Sequence, residues 1–278
     1  MRTGKDRRRC WRWWAAHAGT LGRRRGSGWH RRPARSSRQR SPSLSSAGCF
    51  PVDTRTTRVP TPRRPPIPAS RTPTMGETAA DRKRRMRLEA KRRLASLDAA
   101  FRARASATIC RNVASTDLYQ SARSIMLYIP IPEEVDVRAI GEEALLDGKT
   151  VCLPRVNWDA TEMTPWAVDS MEGPFEVRRH GISEPVHPRP VAADALDLII
   201  VPGLAFDERG HRLGRGAGFY DKFLSRLATT PGVLPPRPVA VGVCYEAQMV
   251  AEVPVEPHDA PLHALATEQR LLITGNPL

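Results

Sequence analysis

Apolar residues recur at loosely helical spacing over residues 79 to about 115, where Met86, Leu88, Leu94, Leu97, Phe101, Ile109 and Val113 stand among many charges. That pattern predicts one or two helices. The pattern then changes. Residues 124–129 (SIMLYI) form a short apolar run ended by Pro130, and residues 137–146 read as a helix closed by Asp147-Gly148. Residues 150–156 (TVCLPRV) predict the next strand and residues 162–168 a weaker one, followed by a Pro- and Gly-containing crossing that runs through 183–190. Residues 195–201 (ALDLIIV) are the clearest buried strand, because Leu, Ile, Ile and Val in succession leave no polar face for water. A helix at 219–228 and a second buried strand at 239–245 (VAVGVCY) complete the pattern. Strands that alternate with helices predict an α/β fold in three layers, a parallel or mixed central sheet covered on both faces, with an N-terminal helix in front.

Charge divides the chain at about residue 75. The formal net charge is +15, but residues 1–74 hold 19 basic side chains against Asp6 and Asp53, so the remaining 204 residues are close to neutral. This argues against a nucleic-acid-binding body. The first 74 residues are rich in Arg, Ser, Pro and Gly, hold four of the six Trp and show no apolar periodicity, so the pattern predicts disorder there. Three readings of this leader stay open: residues upstream of the true start at Met75, a transit peptide, or an arm that contacts nucleic acid. Residues 75–278 suit one domain. The longest apolar run stops at Pro202, well short of the ~18 residues of a membrane span. Five cysteines without a CxxC pair predict neither a disulfide scaffold nor a zinc site, which fits a reducing compartment.

Candidate chemistry follows the buried strand directly, in the segment PGLAFDERGHRLGRGAGFYD at 202–221. Ligands in open α/β sheets bind at the carboxyl ends of strands, where this loop must lie. Gly214, Gly216 and Gly218 let backbone N–H groups converge, and the helix behind them adds further donors, a cradle suited to phosphate. Arg212 and Arg215 carry guanidinium forks that match phosphate oxygens, and Asp221 offers a hard carboxylate to a divalent ion. Neither a P-loop nor a dinucleotide fingerprint is present. A basic cluster from Arg82 to Arg87 opens the first helix, where the macrodipole disfavours positive charge and an anion would relieve it. Trp158 and Trp166 read as core or rim aromatics. His258 and His263 lie near Asp259 in sequence without a third ligand of the kind zinc needs, so a hard-ion site with oxygen ligands is preferred.

The 202–221 segment resembles the signature of the 5-formyltetrahydrofolate cyclo-ligase family, also called 5,10-methenyltetrahydrofolate synthetases. The resemblance extends to LPR at Leu153 to Arg155 and VPVEPHD at Val253 to Asp259, and covers roughly residues 80–275. It implies a Rossmann-like sheet and the use of Mg2+ and ATP to close 5-formyltetrahydrofolate into 5,10-methenyltetrahydrofolate, with release of ADP and phosphate. It also implies site roles. Lys83 and Arg87 would hold ATP phosphates. Arg212, Leu213, Gly214, Arg215, Gly216, Ala217, Gly218, Phe219 and Tyr220 would wrap ATP. Ile129, Glu134 and the 215–219 stretch would face the folate, Arg215 would carry catalysis, and Asp221 and Asp259 would hold Mg2+. Three positions depart from the family pattern: Ala217 stands at a usual Lys or Gly, Val137 at a usual Thr, and His263 where an Asp often follows. Those departures motivate an alternative, a non-catalytic ATP- or folate-binding module of the same fold. The expected setting is a cytoplasmic monomer, with an organelle as the alternative if the leader is a transit peptide.

Overall fold

The structure is a computed structural model that describes residues 78–187, 189–228 and 238–276; the Arg-rich leader, with Cys10 and Cys49, lies outside them. Helix α1 (Ala79–Ser96) starts at Thr78, whose side chain accepts from Asp81 N at 3.2 Å while the Asp81 carboxylate accepts from Thr78 N at 3.3 Å. This reciprocal cap satisfies two orphan donors of the first turn. The periodic stretch then splits into two helices because Asp98 caps a new one, its carboxylate accepting from Phe101 N at 2.7 Å to open α2 (Ala99–Ala114). Such a cap contributes about 1 kcal/mol. A short α3 (Asp117–Ser121) leads to β1 (Ser124–Met126), α4 (Arg138–Leu146), β2 (Thr150–Asn157) and β3 (Glu162–Val168).

The predicted crossing after β3 folds into a small hairpin, β4 (Phe175–Val177) with β5 (Ser183–Pro185). Strand β6 (Leu198–Val201) is shorter than its apolar run, since residues 193–195 form a 3-10 turn, but all four of its residues are buried. The ribbon β7 (Ala205–Phe206) and β8 (Arg212–Leu213), helix α5 (Phe219–Ala228), β9 (Val239–Val243), β10 (Ala264–Ala266) and β11 (Leu271–Ile273) complete the order.

Seven strands form one mixed sheet in the order β11-β10-β9-β6-β1-β2-β3. The five central strands pair in parallel, and β3 and β11 pair antiparallel at the two edges. Alternation along the strands builds two cores. Ile125, Val151, Leu198, Ile200, Val241 and Val243 face one layer with residues of α1, α2 and α4, while Met126, Cys152, Ile199, Val201 and Ala240 face the other with Phe223 and Leu224 of α5. The expected three-layer α/β sandwich is therefore present. Cys110, Cys152 and Cys244 are buried free thiols.

Strand order fixes where chemistry can occur. The chain leaves β1 to one side for β2 and returns on the other side with β6, so the crossover directions diverge between β1 and β6. At such a switch point the loops after the two strands open a crevice. Residues 127–137 follow β1 and residues 202–218 follow β6.

Candidate active site

The loop after β6 begins as a rigid ribbon. Its key is Asp207, fully buried, whose Oδ1 accepts from Arg209 N at 3.0 Å and His211 N at 3.1 Å. Its other oxygen accepts from Val253 N at 3.0 Å and faces His211 Nδ1 at 3.1 Å. Phe206 O in turn accepts from Val250 N at 2.8 Å. One carboxylate thereby shapes the β7–β8 turn and fastens it to the segment that leads to Glu256 and Asp259. Sequence reasoning missed Asp207; its only local signal was the Asp-x-x-Gly turn at 207–210.

Beyond β8 the chain is exposed from Arg215 to Gly218 and enters α5. Gly216 (φ 119°) and Gly218 (φ 74°) take backbone conformations that a side chain would strain. Gly214 needs no such freedom, and a methyl group there would meet nothing within 4 Å. Two contacts tie this turn to other elements. From α1, Arg87 Nε donates to Gly214 O at 3.1 Å. From the turn itself, Arg215 Nε donates to Glu134 Oε1 at 3.1 Å, with Glu133 at 4.0 Å.

Glu134 is presented by a braced loop. Tyr245 Oη donates to its carbonyl at 3.0 Å, Tyr128 Oη donates to Val135 O at 2.8 Å, and Asp136 N donates to Ser106 Oγ at 3.0 Å. Burial pushes the Glu134 carboxyl above its usual range, with Arg215 pulling the other way. Ile129, half-buried, packs on the core beneath this loop.

Arg212 and Leu213 serve the site from below. Leu213 is buried, and its carbonyl accepts from Leu204 N at 2.8 Å. The Arg212 guanidinium is buried too, donating to Asp221 Oδ1 at 2.8 Å and to Ala260 O at 3.3 Å, and its charge is disfavoured by burial and restored by Asp221. The fork expected to meet phosphate is thus committed to a strut between β8, α5 and residue 260. Tyr220 lies under it, 5.7 Å from guanidinium carbon to ring centroid, with a buried hydroxyl whose ionisation burial suppresses. Phe219 packs edge-on against Trp158 at 4.9 Å between centroids, and Arg155 covers Trp166 at 4.9 Å, so both tryptophans have protein partners.

A third cluster lies on the α1 side. Lys83 Nζ contacts Glu256 Oε2 at 2.5 Å and Asp259 Oδ2 at 2.7 Å. Burial works against its charge, but the two carboxylates outweigh burial and raise its pKa above 10.5; the same contact lowers those of Glu256 and Asp259. Glu256, His258 and Asp259 bring one ligand atom each within 4.8 Å of one another, so the expected Asp259 is joined by Glu256, which sequence reasoning missed, and not directly by Asp221. The charge of Asp259 still reaches Arg212, the partner of Asp221. The two carboxylates suit a hard divalent ion, whereas the imidazole is a ligand that such an ion does not favour. His263 is turned elsewhere: its Nδ1 accepts from Ala240 N at 2.8 Å inside the sheet. A cavity of about 480 Å³ opens beside the cluster, bordered by Gly218, Asp221, Lys222, Ser225 and His258.

The pattern that defines the 5-formyltetrahydrofolate cyclo-ligase family matches residues 77–268. The mouse 5-formyltetrahydrofolate cyclo-ligase is 30% identical over 189 residues, covering 66% of this chain and 91% of its own. The Arabidopsis thaliana protein named 5-formyltetrahydrofolate cyclo-ligase, mitochondrial is 29% identical over 209 residues, 66% of this chain and 73% of its own. Among solved structures, the 5,10-methenyltetrahydrofolate synthetase of Aquifex aeolicus superposes with a TM-score of 0.60 at 31% identity, covering 70% of this chain and 93% of that one.

Proposed function

The chain belongs to the 5-formyltetrahydrofolate cyclo-ligase family and is an ATP-dependent ligase that converts 5-formyltetrahydrofolate to 5,10-methenyltetrahydrofolate, and we propose that it does so by phosphorylating the formyl oxygen at the 214–218 turn. One observation carries this assignment. The turn accepts from Arg87 at Gly214 and is joined to Glu134 through Arg215, so a phosphate on the turn and a folate on Glu134 would be neighbours.

Ring closure requires N10 to attack the N5-formyl carbon and expel its oxygen, and an amide oxygen is a poor leaving group. Attack of that oxygen on the γ-phosphorus releases ADP and leaves an iminium phosphate. N10 then adds to the formyl carbon and loses its proton, and phosphate departs. The protein has little covalent work to do; it aligns oxygen, phosphorus and leaving group and stabilises charge. In this reading Lys83, Arg87 and Arg215 face phosphate oxygens, and the exposed amides of residues 214–218 donate to them. Asp259 with Glu256 would hold Mg2+ through carboxylate oxygens, and Asp221 borders the adjacent cavity. Bound there, the ion would neutralise phosphate charge as a Lewis acid. Arg212 and Asp207 position the turn without touching ligand. Glu134, raised by burial, accepts N–H groups of the pterin. No helix among the described residues is long and apolar enough to cross a membrane. The buried free thiols support a reducing compartment, and fractionation of cells would distinguish the cytoplasm from an organelle.

The test is direct. Protein, Mg-ATP and 5-formyltetrahydrofolate are incubated while the absorbance of the methenyl product is followed. Product formation supports the mechanism, and binding of both ligands without product would instead establish the non-catalytic module. His263, engaged with the sheet, and Ala217, exposed on the turn, leave the Arg87–Gly214 and Arg215–Glu134 contacts in place.

A further inference from the structure

Lys83 stands out among the residues that α1 buries. The others, Ala90 and Leu94, are apolar and lie seven and eleven positions on along one stripe, whereas Lys83 carries a full charge at 8% side-chain exposure. Its ammonium is seated between two carboxylates brought from 173 and 176 residues away. The seat itself is fixed: Glu256 N donates to Asp259 Oδ2 at 2.8 Å, and His258 Nε2 stands 3.9 Å from Glu256 and 3.8 Å from Asp259. A positive ion, supplied by the chain, therefore already occupies the middle of a ligand set whose donor atoms lie within 4.8 Å of one another.

The charges give this arrangement a consequence. With the ammonium in place, two negative groups face one positive group, and an approaching triphosphate meets a net negative patch. If a divalent cation replaces the ammonium between the carboxylates, that patch is neutralised and the freed ammonium adds a positive charge for the phosphates. We propose that Lys83 is a resident counter-ion, which yields the Glu256–Asp259 seat to a divalent metal when a nucleotide phosphate draws the ammonium away, and that Glu256 is a metal-holding residue. The proposal rests on the ATP-dependent reading above, but it can fail separately, because metal binding without nucleotide does not depend on cyclo-ligase chemistry.

The experiment uses Mn2+ alone, with free ion counted by electron paramagnetic resonance. Lys83→Met removes the competitor, so it is expected to bind Mn2+ at least about tenfold more tightly than the wild-type chain, and Lys83→Met with Glu256→Gln is expected to lose that gain. Equal or weaker binding by Lys83→Met, or an undiminished gain in the double variant, would overturn the proposal. Should the variants fold poorly, the full wild-type chain with 15N-lysine answers the same question. The Lys83 ammonium resonance should shift when Mg2+ and ADP are added together and stay in place with ADP in EDTA. A shift of the same size without metal would refute the exchange.

Discussion

Replacing Arg215 by Ala separates two quantities, the ion pair that the structure shows and the phosphoryl-transfer role proposed for the same side chain. As an ion pair, Arg215 is modest: its side chain is 40% exposed and its Nε meets Glu134 at 3.1 Å, with Glu133 at 4.0 Å. Pairs that solvent reaches contribute about 1 kcal/mol or less, and Glu134 keeps a second contact, accepting from Ile131 N at 3.3 Å. The folded state should therefore lose about 1 kcal/mol. As a transition-state donor, Arg215 is worth far more, because a single preorganised donor to developing oxyanion charge typically accounts for about 10²–10³ in turnover, or about 2.7–4 kcal/mol. Urea unfolding measures the first quantity and methenyl absorbance the second. The expected result is a small stability loss with a hundredfold or greater fall in kcat, and Arg215→Lys should recover only part of it, since Lys restores charge without the planar fork. Turnover close to wild type would remove Arg215 from phosphoryl transfer. A stability loss above about 3 kcal/mol would show that the fall reflected folding, since that exceeds what an exposed pair contributes.

Other perturbations address the remaining parts. Asp207→Asn places an amide donor against backbone donors, so either the N–H of Val253 or those of Arg209 and His211 lose their acceptor; urea unfolding should show a loss of about 1–3 kcal/mol. Gly214→Ala should leave stability nearly unchanged, since its methyl meets nothing within 4 Å, while the KM for ATP rises; an unchanged KM would mean that no ligand approaches that backbone. Burial raises the Glu134 pKa above 4.5, so its protonated form favours folding: that contribution is complete below 4.5 and is lost as pH rises through the raised value. Folate binding needs the carboxylate and runs the opposite way, weakening as pH falls through that same value. Titrating folate affinity against pH should place this acid limb above 4.5, and Glu134→Gln should abolish it.

The layers were legible in the chain because burial on both faces leaves a plain mark. Leu198 to Val201 admits no polar position, and the helix at 219–228 was read to its bounds. Asp98 was the unread stop signal that divides α1 from α2. Short pieces were not legible. β10 and β11 have three residues each, too few for a period to emerge, and β4 and β5 occupy a stretch whose Pro and Gly read as a crossing. They are strands because neighbours pair with them. β10 lies along β9, and β5 brings a fully buried Glu184 to Arg155 Nε at 3.1 Å. Asp207 and Glu256 were hidden for a related reason. In sequence each is an acid in a polar turn, and only a partner 46 or 173 residues away gives it a task.

The same limit explains why the cations were found while their condition was not. A sequence counts Lys83, Arg87, Arg212 and Arg215 as four free positive groups. In the folded chain Lys83 holds two carboxylates, Arg87 a carbonyl, Arg212 Asp221, and Arg215 Glu134. Burial separates their roles. Arg212, whose side chain is 2% exposed, would leave Asp221 uncompensated if it moved, and breaking a buried pair costs about 3–5 kcal/mol, more than a phosphate contact returns. It therefore stays and acts as scaffold. Arg215 is 40% exposed and can turn toward a phosphate, and the 13% exposed Glu134 that it leaves is compensated when a folate N–H takes its place. Moving Arg215 also uncovers Glu134. Nucleotide binding then frees the carboxylate that the folate needs, and folate affinity should rise when ADP is present in the wild-type chain but not in Arg215→Ala. Equal enhancement in both would place the coupling elsewhere in the site.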